Sequence, residues 1–399
     1  MIDLEQALRA LVAREGSDLH LKTGSVPMAR INGELESLGE SWPPVADGEI
    51  EHVLFEMLGR GAGRIEEFEA RHEIDISREL EGVARFRINA RRQRGGIALV
   101  VRAIPHQIRT IEELALPPVI ARMAEEQRGI VLVTGTTGSG KSTTLAAMIH
   151  QINMTRPANI VTIEDPIEFV HTDRRSMIGQ REVGIDTLSF KGALRRVLRQ
   201  DPDVILIGEM RDEETVQTAM SAAETGHLVL STIHTLDAAE TINRMLEFFP
   251  PNHHQQVRAM LASTLRGVIS QRLVPAVDGG RVAVCEILRM TGRVRDKILK
   301  ASETIDLSTV ISEGAYDGMQ TFDQALYAHV AAGRVSVEDA KDAATSPHDF
   351  KLLLEAEGRR GTTMSDVPTL PAEEPESVEE APVASERVRT TMDDVPTIV

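Results

Sequence analysis

A single cysteine, Cys285, stands among 399 residues, so no disulfide can form within the chain and no zinc site built on four cysteines can exist. Sparing use of cysteine fits a reducing cytosol, and the apolar run around Cys285 reads as a strand in which the thiol is core packing. Hydrophobic stretches are short as well. None approaches the ~18 residues that a membrane-spanning helix needs, so no direct membrane insertion is expected. The opening Met1-Ile-Asp-Leu-Glu-Gln is acidic and amphipathic, unlike a secretory signal. Aromatic side chains make up 3% of the chain, and 44 basic residues face 61 acidic ones for a net charge of −17. Few stacking surfaces and an acidic body both argue against nucleic acid as a partner.

What the chain has is length enough for two or three domains and a change of texture along it. Residues 1–105 pattern as a small α+β unit, with a helix over 2–14, a hairpin turning at Asn32-Gly33, helices near 48–59 and 64–71, and strands near 73–78, 83–91 and 97–104. Residues 106–118 read as a linker ending at Pro118. From 119 to 290 strands alternate with helices, which indicates an α/β fold with a mostly parallel sheet covered on both faces; within it, 250–273 reads as helix. Residues 291–357 read as a capped helical subdomain in which Thr321 and Gln324 fit a capping box.

Beyond 358 the composition turns to Pro, Glu, Ser, Thr and Val, and residues 360–399 set nine acidic side chains against three arginines. Such a segment cannot bury enough surface to fold alone, so a disordered acidic tail is expected. Within it, 362–370 (Thr-Thr-Met-Ser-Asp-Val-Pro-Thr-Leu) recurs as 390–398 (Thr-Thr-Met-Asp-Asp-Val-Pro-Thr-Ile). The two copies read either as a docking peptide presented twice or as a duplicated spacer.

The most informative stretch is Gly135-Thr136-Thr137-Gly138-Ser139-Gly140-Lys141-Ser142, preceded by the apolar run 129–134 and followed by a helical pattern from Thr143. Glycines let successive backbone N–H groups turn inward onto phosphate oxygens, and the following helix adds the positive end of its dipole. Lys141 would reach the β- and γ-phosphates and Ser142 would hold Mg²⁺. Two acidic strand ends belong with this loop. The strand at 159–163 runs into Glu164-Asp165-Pro166, and the strand at 203–207 runs into Gly208-Glu209. In a parallel sheet both ends reach the rim where a γ-phosphate sits. Glu209 is expected to orient or deprotonate the attacking water, with Glu164 supporting that water or the metal shell. A common form of the second motif has Asp at the position of Gly208, which leaves Ser142 as the expected metal ligand.

His227 and His234 bracket the strand between them, too far apart to share a metal. A buried, hydrogen-bonded histidine is the ordinary reading of each, and His234, at the carboxyl end, is placed to sense a γ-phosphate or a neighbouring subunit. On the strand at 83–91, Arg85, Arg87, Asn89 and Arg91 alternate with Phe86, Ile88 and Ala90. Residue by residue this is either a solvated face with acidic neighbours or a row of phosphate-binding guanidiniums.

Taken together, Gly135 to Ser142, Ile163-Glu-Asp-Pro-Ile-Glu168, Asp203-Val-Ile-Leu-Ile-Gly-Glu-Met-Arg211 and Thr225-Gly-His227 with His234 resemble the Walker A, Asp, Walker B and His boxes of secretion-type motor ATPases. Gly16-Ser-Asp-Leu-His20, Gln180-Arg-Glu-Val-Gly184 and Gly318-Met-Gln-Thr-Phe-Asp323 narrow the resemblance to the type IV pilus retraction (twitching motility) ATPases of the PilT/PilU kind, over residues 1 to about 357. It implies a hexameric ring whose subunits pair a PAS-like N-terminal domain with a RecA-like motor domain and hydrolyse ATP between them. Arg87 and Arg102 would engage the nucleotide from the N-terminal side, joining Glu209, Glu164, Lys141 and His234 as catalytic groups. Residues 135–143 and His227 would contact the nucleotide. The resemblance further implies a cytoplasmic protein, peripheral at the inner face of the cytoplasmic membrane, acting on an inner-membrane pilus platform protein. An accessory role beside a sister retraction ATPase is the alternative. Pilus assembly ATPases share the four boxes, but they resemble a longer pattern with a four-cysteine zinc module, which one cysteine rules out.

Overall fold

A computed structural model describes residues 2–31, 33–39, 42–59, 63–104 and 108–360. The duplicated tail segments, Asn32 of the expected hairpin turn and the start of the expected linker lie outside the described residues.

The chain opens with α1 (Leu4–Ala13), whose Asp3 cap accepts a hydrogen bond from the Gln6 N–H and whose Leu4, Leu8 and Leu11 are buried. Strands β1 (Asp18–Lys22), β2 (Met28–Ile31) and β3 (Glu34–Ser37) follow, then α2 (Glu49–Leu58), α3 (Arg64–Arg71), β4 (Glu73–Leu80), β5 (Ala84–Gln93) and β6 (Gly96–Ile104). They form one antiparallel sheet in the order β3-β2-β1-β6-β5-β4. The alternation in β5 is met in full: Ala84, Phe86, Ile88 and Ala90 are buried in a core shared with all three helices, and the arginines between them face the other way.

The second sheet is built from α4 (Val119–Ala124), β7 (Gly129–Thr134), α5 (Lys141–Thr155), β8 (Asn159–Glu164), β9 (Met177–Glu182), α6 (Phe190–Val197), β10 (Val204–Ile207), α7 (Glu213–Glu224), β11 (Leu228–Ile233), α8 (Ala238–Glu247), α9 (His254–Thr264), β12 (Leu265–Pro275) and β13 (Arg281–Arg289). Its order is β13-β12-β7-β11-β10-β8-β9, parallel throughout except that β13 returns antiparallel to β12. Successive residues of one strand enter different cores. Ile130, Leu132, Ile205 and Ile207 pack with α6 to α9, whereas Val131, Val133, Val204 and Leu206 pack with α4 and α5. Burial on both faces is why these strands read as continuous apolar runs. Helices α10 (Gly292–Leu299), α11 (Leu307–Ser312), α12 (Phe322–Ala331), α13 (Val337–Ala343) and α14 (Pro347–Arg360) complete the described chain, and the capping box of Thr321 and Gln324 is formed. Among the described residues no helix is long and apolar enough to cross a membrane.

Two segments differ from the sequence reading. The helix expected over 250–273 stops at Thr264, and Leu265 begins an extended strand paired with both β7 and β13. Gly267 marks the change: a Cβ there would come within 2.9 Å of the Leu288 carbonyl oxygen, so only glycine lets β12 and β13 approach. The edge strand β9 was not anticipated, because Met-Ile-Gly-Gln-Arg-Glu carries no apolar alternation.

Phe86 is fully buried at the centre of the first core, and its truncation to alanine is expected to cost about 3–5 kcal/mol. Thermal unfolding should register this as a clear fall in melting temperature. A shift equivalent to less than about 1 kcal/mol would mean that the sheet does not close over this ring.

Candidate active site

The parallel sheet brings the carboxyl ends of β7, β8, β10 and β11 to one rim. A cleft of about 1290 Å³ opens there, above the ~300–1,000 Å³ usual for small ligands. Its floor is the phosphate loop between β7 and α5, represented by Thr137, Gly138, Gly140, Lys141, Ser142 and Thr143. The loop's glycines adopt left-handed backbone, with φ of 139° at Gly135, 78° at Gly138 and 90° at Gly140. A Cβ on Gly135 would stand 2.4 Å from the Gln271 carbonyl oxygen, so the tight approach of β12 also requires glycine. The first turn of α5 holds no acidic side chain, which leaves the positive end of the helix open to an anion.

Lys141 is buried, and its ammonium donates to the Gly135 and Thr136 carbonyls, each at 2.9 Å. Burial lowers its pKa, against which the Glu168 carboxylate acts. The hydroxyl of Ser139 is buried with no hydrogen-bond partner, a group that a phosphate oxygen would satisfy. Thr136 is exposed and does not line the cleft.

Glu164 ends β8 with its Oε1 accepting from Thr162 Oγ1 at 2.6 Å and from Gln180 Nε2 at 3.1 Å. Burial pushes its carboxyl above the ordinary range, with both hydrogen bonds opposing that shift. Glu209, two residues beyond β10, is more open. One of its oxygens pairs with Arg211, and the other lies 3.3 Å from His234 Nε2. His234 is held below its ordinary pKa first by burial and then by the positive charges of Lys141 and Arg211, which favours the neutral imidazole. Glu164, Glu209 and His234 all line the cleft with Lys141. At Gly208 a Cβ would press to 3.2 Å on the Ile163 carbonyl oxygen, so the β8 backbone leaves little room for aspartate.

From the first sheet, Arg102 lines the cleft, its Nε donating to Asp18 Oδ1 at 2.8 Å. Arg87 stands opposite it in the β5–β6 register, but it does not line the cleft and lies 3.9 Å from Asp75. His227 stands apart from this cleft. It precedes β11 at the amino end of the sheet, with Nδ1 2.9 Å from the Ala222 carbonyl oxygen and 3.2 Å from Thr225 Oγ1. Strand direction therefore keeps it from the phosphate loop of its own chain. Other lining residues escaped the sequence reading: Arg109 and Glu113 of the linker, Arg211, Gln271 and Arg281. Arg211 sits inside a motif that drew attention only to its glutamate, and Gln271 lay in the segment read as helix.

With this geometry in view, comparison with known proteins is decisive. Residues 76–279 match the family described as Type II/IV secretion system protein. The chain is 45% identical over 344 residues to a type IV pilus retraction ATPase, PilT, of Pseudomonas aeruginosa, covering 86% of this chain and 98% of that one. The chain belongs to the PilT/PilU family of secretion ATPases. It is also 39% identical over 354 residues to the type IV pilus ATPase PilU of the same organism, covering 88% of this chain and 91% of that one. A crystal structure of the pilus retraction motor PilT with bound ADP superposes with a TM-score of 0.81 at 38% identity, covering 88% of this chain and all of that one. The α/β fold with a smaller α+β unit before it is thus the fold of this ATPase family, and membership of it implies nucleotide binding.

Gly135→Ala should weaken ADP binding at least tenfold in a calorimetric titration, because the added methyl meets Gln271 and the backbone resists that φ. An affinity within twofold of wild type would show that the loop does not need this approach. A second outcome concerns Glu286 of β13, whose Oε1 accepts the Ala238 N–H at 2.9 Å just beyond the His234 loop. Burial pushes this carboxyl up to about 7 from 4.5. Because the folded state holds the proton more tightly, its stabilising contribution is complete below about 4.5 and is lost as pH rises through about 7. The melting temperature of wild type should therefore fall relative to Glu286→Gln between pH 5 and 8. Parallel profiles would contradict the assignment.

Proposed function

We propose that the chain is an ATP-hydrolysing motor subunit that drives pilus retraction as a ring of six copies in the cytoplasm, against the inner face of the membrane and a platform protein there. The observation that carries this reading is the meeting, in one cleft, of a phosphate loop with Lys141, a carboxylate at Glu209 and an arginine, Arg102, delivered from the other sheet. The likeness to PilT along nearly its whole length supports the same direction.

In the proposed reaction, ATP lies with its phosphates on the N–H groups of residues 135–143 and its γ-phosphate beneath Lys141. Glu209 accepts a proton as water attacks the γ-phosphorus. The bond to the β–γ bridging oxygen breaks, and ADP and phosphate result. Arg102 stabilises charge on the transferring group, and Arg87, its neighbour across the β-ladder, supports that field. His234 holds Glu209 in place through its 3.3 Å contact. Glu164, buried and doubly hydrogen-bonded, serves the water or the metal shell rather than acting as base.

The site also fits Mg²⁺. Among the described residues no cluster of three or more His, Cys, Asp or Glu could cage a metal, and Mg²⁺ characteristically relies on one or two protein oxygens plus phosphates and waters. Ser142, at the start of α5 and on the cleft wall, is the residue that would hold it. When bound, the ion would neutralise phosphate charge during transfer.

Phosphate release from sized oligomers tests the proposal. Lys141→Ala should abolish turnover. Glu209→Gln should lower it by roughly 10²–10⁴ while ADP still binds, and Arg102→Ala should lower it by up to about 10³–10⁵. Turnover by Glu209→Gln at the wild-type rate would remove Glu209 from the reaction. A wild-type chain that binds nucleotide without hydrolysing it would replace the motor with an accessory binding role.

A further inference from the structure

The two sheets are tied together at Glu182, the last residue of β9 and 4% exposed. Its Oε1 accepts from Ser77 Oγ of β4 at 2.7 Å, and its Oε2 accepts from Arg85 Nη2 of β5 at 2.7 Å. The same Oε2 accepts the backbone N–H of Ile167 at 3.2 Å. One buried carboxylate thus holds two side chains of the first sheet and the loop that follows Glu164. Residues two apart on a strand share a face, and Gln180 works on the same loop. Its Nε2 donates to Glu164 Oε1 at 3.1 Å and to the Phe169 carbonyl at 2.8 Å, while its Oε1 accepts the His171 N–H at 2.8 Å. Strand β9 therefore braces the loop at two points from one face, and Glu164 and Glu182 are paired in the β8–β9 register.

Glu182 does not itself line the cleft, whereas Glu164, Asp165, Pro166, Glu168 and Phe169 do. A carboxylate this buried is tolerated because three hydrogen bonds, one of them from the Arg85 guanidinium, satisfy it, and removing either charge leaves the other uncompensated. Ile178 packs this edge strand against the core under α4 and α5, and little else in its sequence is apolar. The polar contacts supply the rest of the attachment.

Resting on the ATPase reading above, we propose that Glu182 is a positioning residue that couples the first sheet to catalysis: through Arg85 and Ser77 it registers that sheet against the loop 165–169, and through that loop it sets Glu164. Hydrolysis then depends on a residue that touches neither nucleotide nor water.

The test uses the full chain, comparing wild type with Glu182→Ala, Glu182→Gln, Arg85→Ala, Ser77→Ala and the Arg85→Ala/Glu182→Ala double variant. Phosphate release gives kcat and KM for ATP, and thermal unfolding is followed in parallel. Glu182→Ala and Arg85→Ala should each lower kcat about tenfold with KM within twofold, because the phosphate loop is untouched. The double variant should be no worse than either single one, as expected of two groups acting through one contact. Glu182→Gln keeps one acceptor oxygen for the Ile167 N–H, and its amide NH2 can donate to the Ser77 hydroxyl, so it should recover part of the loss. Ser77→Ala should lower kcat two- to fivefold at an unchanged melting temperature. The proposal falls if Glu182→Ala keeps kcat within twofold, if the single effects multiply in the double variant, or if KM rises in step with a falling melting temperature. Should Glu182→Ala not fold, wild-type kcat in both Glu182→Gln and Ser77→Ala would equally overturn it. A wild-type chain without turnover would instead overturn the ATPase reading, and this role with it, so the two failures are distinguishable.

Discussion

The phosphate loop takes its shape from a strand that contributes nothing to the motif. Gln271 of β12 presents its main-chain oxygen 2.4 Å from where a Cβ on Gly135 would stand, and its side-chain nitrogen 2.7 Å from a Cβ on Gly140. Its Oε1 also accepts from Thr144 Oγ1 at 2.7 Å, inside the first turn of α5. Both ends of the loop and the helix behind it are therefore gauged against one residue. The parallel pairing of β12 with β7, reinforced by the buried Thr134 to Ser270 hydroxyl contact at 3.0 Å, holds that gauge in place. If β12 moved outward, the loop would keep its glycines and lose its curvature.

This explains why the chemistry was more legible than the architecture that supports it. The loop, the Glu164 and Glu209 strand ends and the β5 alternation are each written in a contiguous run, so local periodicity and turn chemistry expose them. β12 is different. Its residues are buried on both faces, so Leu265 to Pro275 shows no period of two, and it follows a real helix without a break in composition. β9 fails for the opposite reason, since it has almost nothing apolar to declare itself. The partners of the arginines were out of reach altogether: Arg85 meets Glu182 across 97 residues and Arg102 meets Asp18 across 84. Of the two readings of the β5 row, the structure shows the acidic neighbours: Arg85, Arg87 and Arg92 face carboxylates and none of the row lines the cleft, whereas Arg102 on β6 beside them does. His227 and His234 part for a simpler reason. A motif quoted as one box contains both ends of a strand, and only one end of a parallel strand reaches the rim.

Charge is organised in the same economical way. A chain with a net charge of −17 lines one cleft with five cations, Arg102, Arg109, Lys141, Arg211 and Arg281, beside six carboxylates, Glu113, Glu164, Asp165, Glu168, Glu209 and Asp212. Two of these cations are held by carboxylates, Arg102 by Asp18 and Arg211 by Glu209. In the reaction proposed above, a phosphate oxygen takes the place of Asp18 at Arg102. The acidity of the chain is therefore consistent with anion binding, because exchange of one anion for another leaves no guanidinium unsatisfied.

How readily each pair exchanges depends on where it sits. In the pair of Arg102 with Asp18 the guanidinium is 68% exposed and the carboxylate 7%, and Asp18 also accepts from Ser17 Oγ at 2.8 Å. Arg85 and Glu182 are 17% and 5% exposed, and breaking a buried pair by removing one partner costs about 3–5 kcal/mol. A lobe movement that transferred Arg102 from Asp18 to phosphate would leave Asp18 on Ser17, whereas one that pulled Arg85 from Glu182 would leave charge stranded in the interior. In the motor proposed above, the Arg85–Glu182 pair is therefore the fixed end of such a movement and Arg102 its free end, and a movement that keeps the buried pair intact turns about β9.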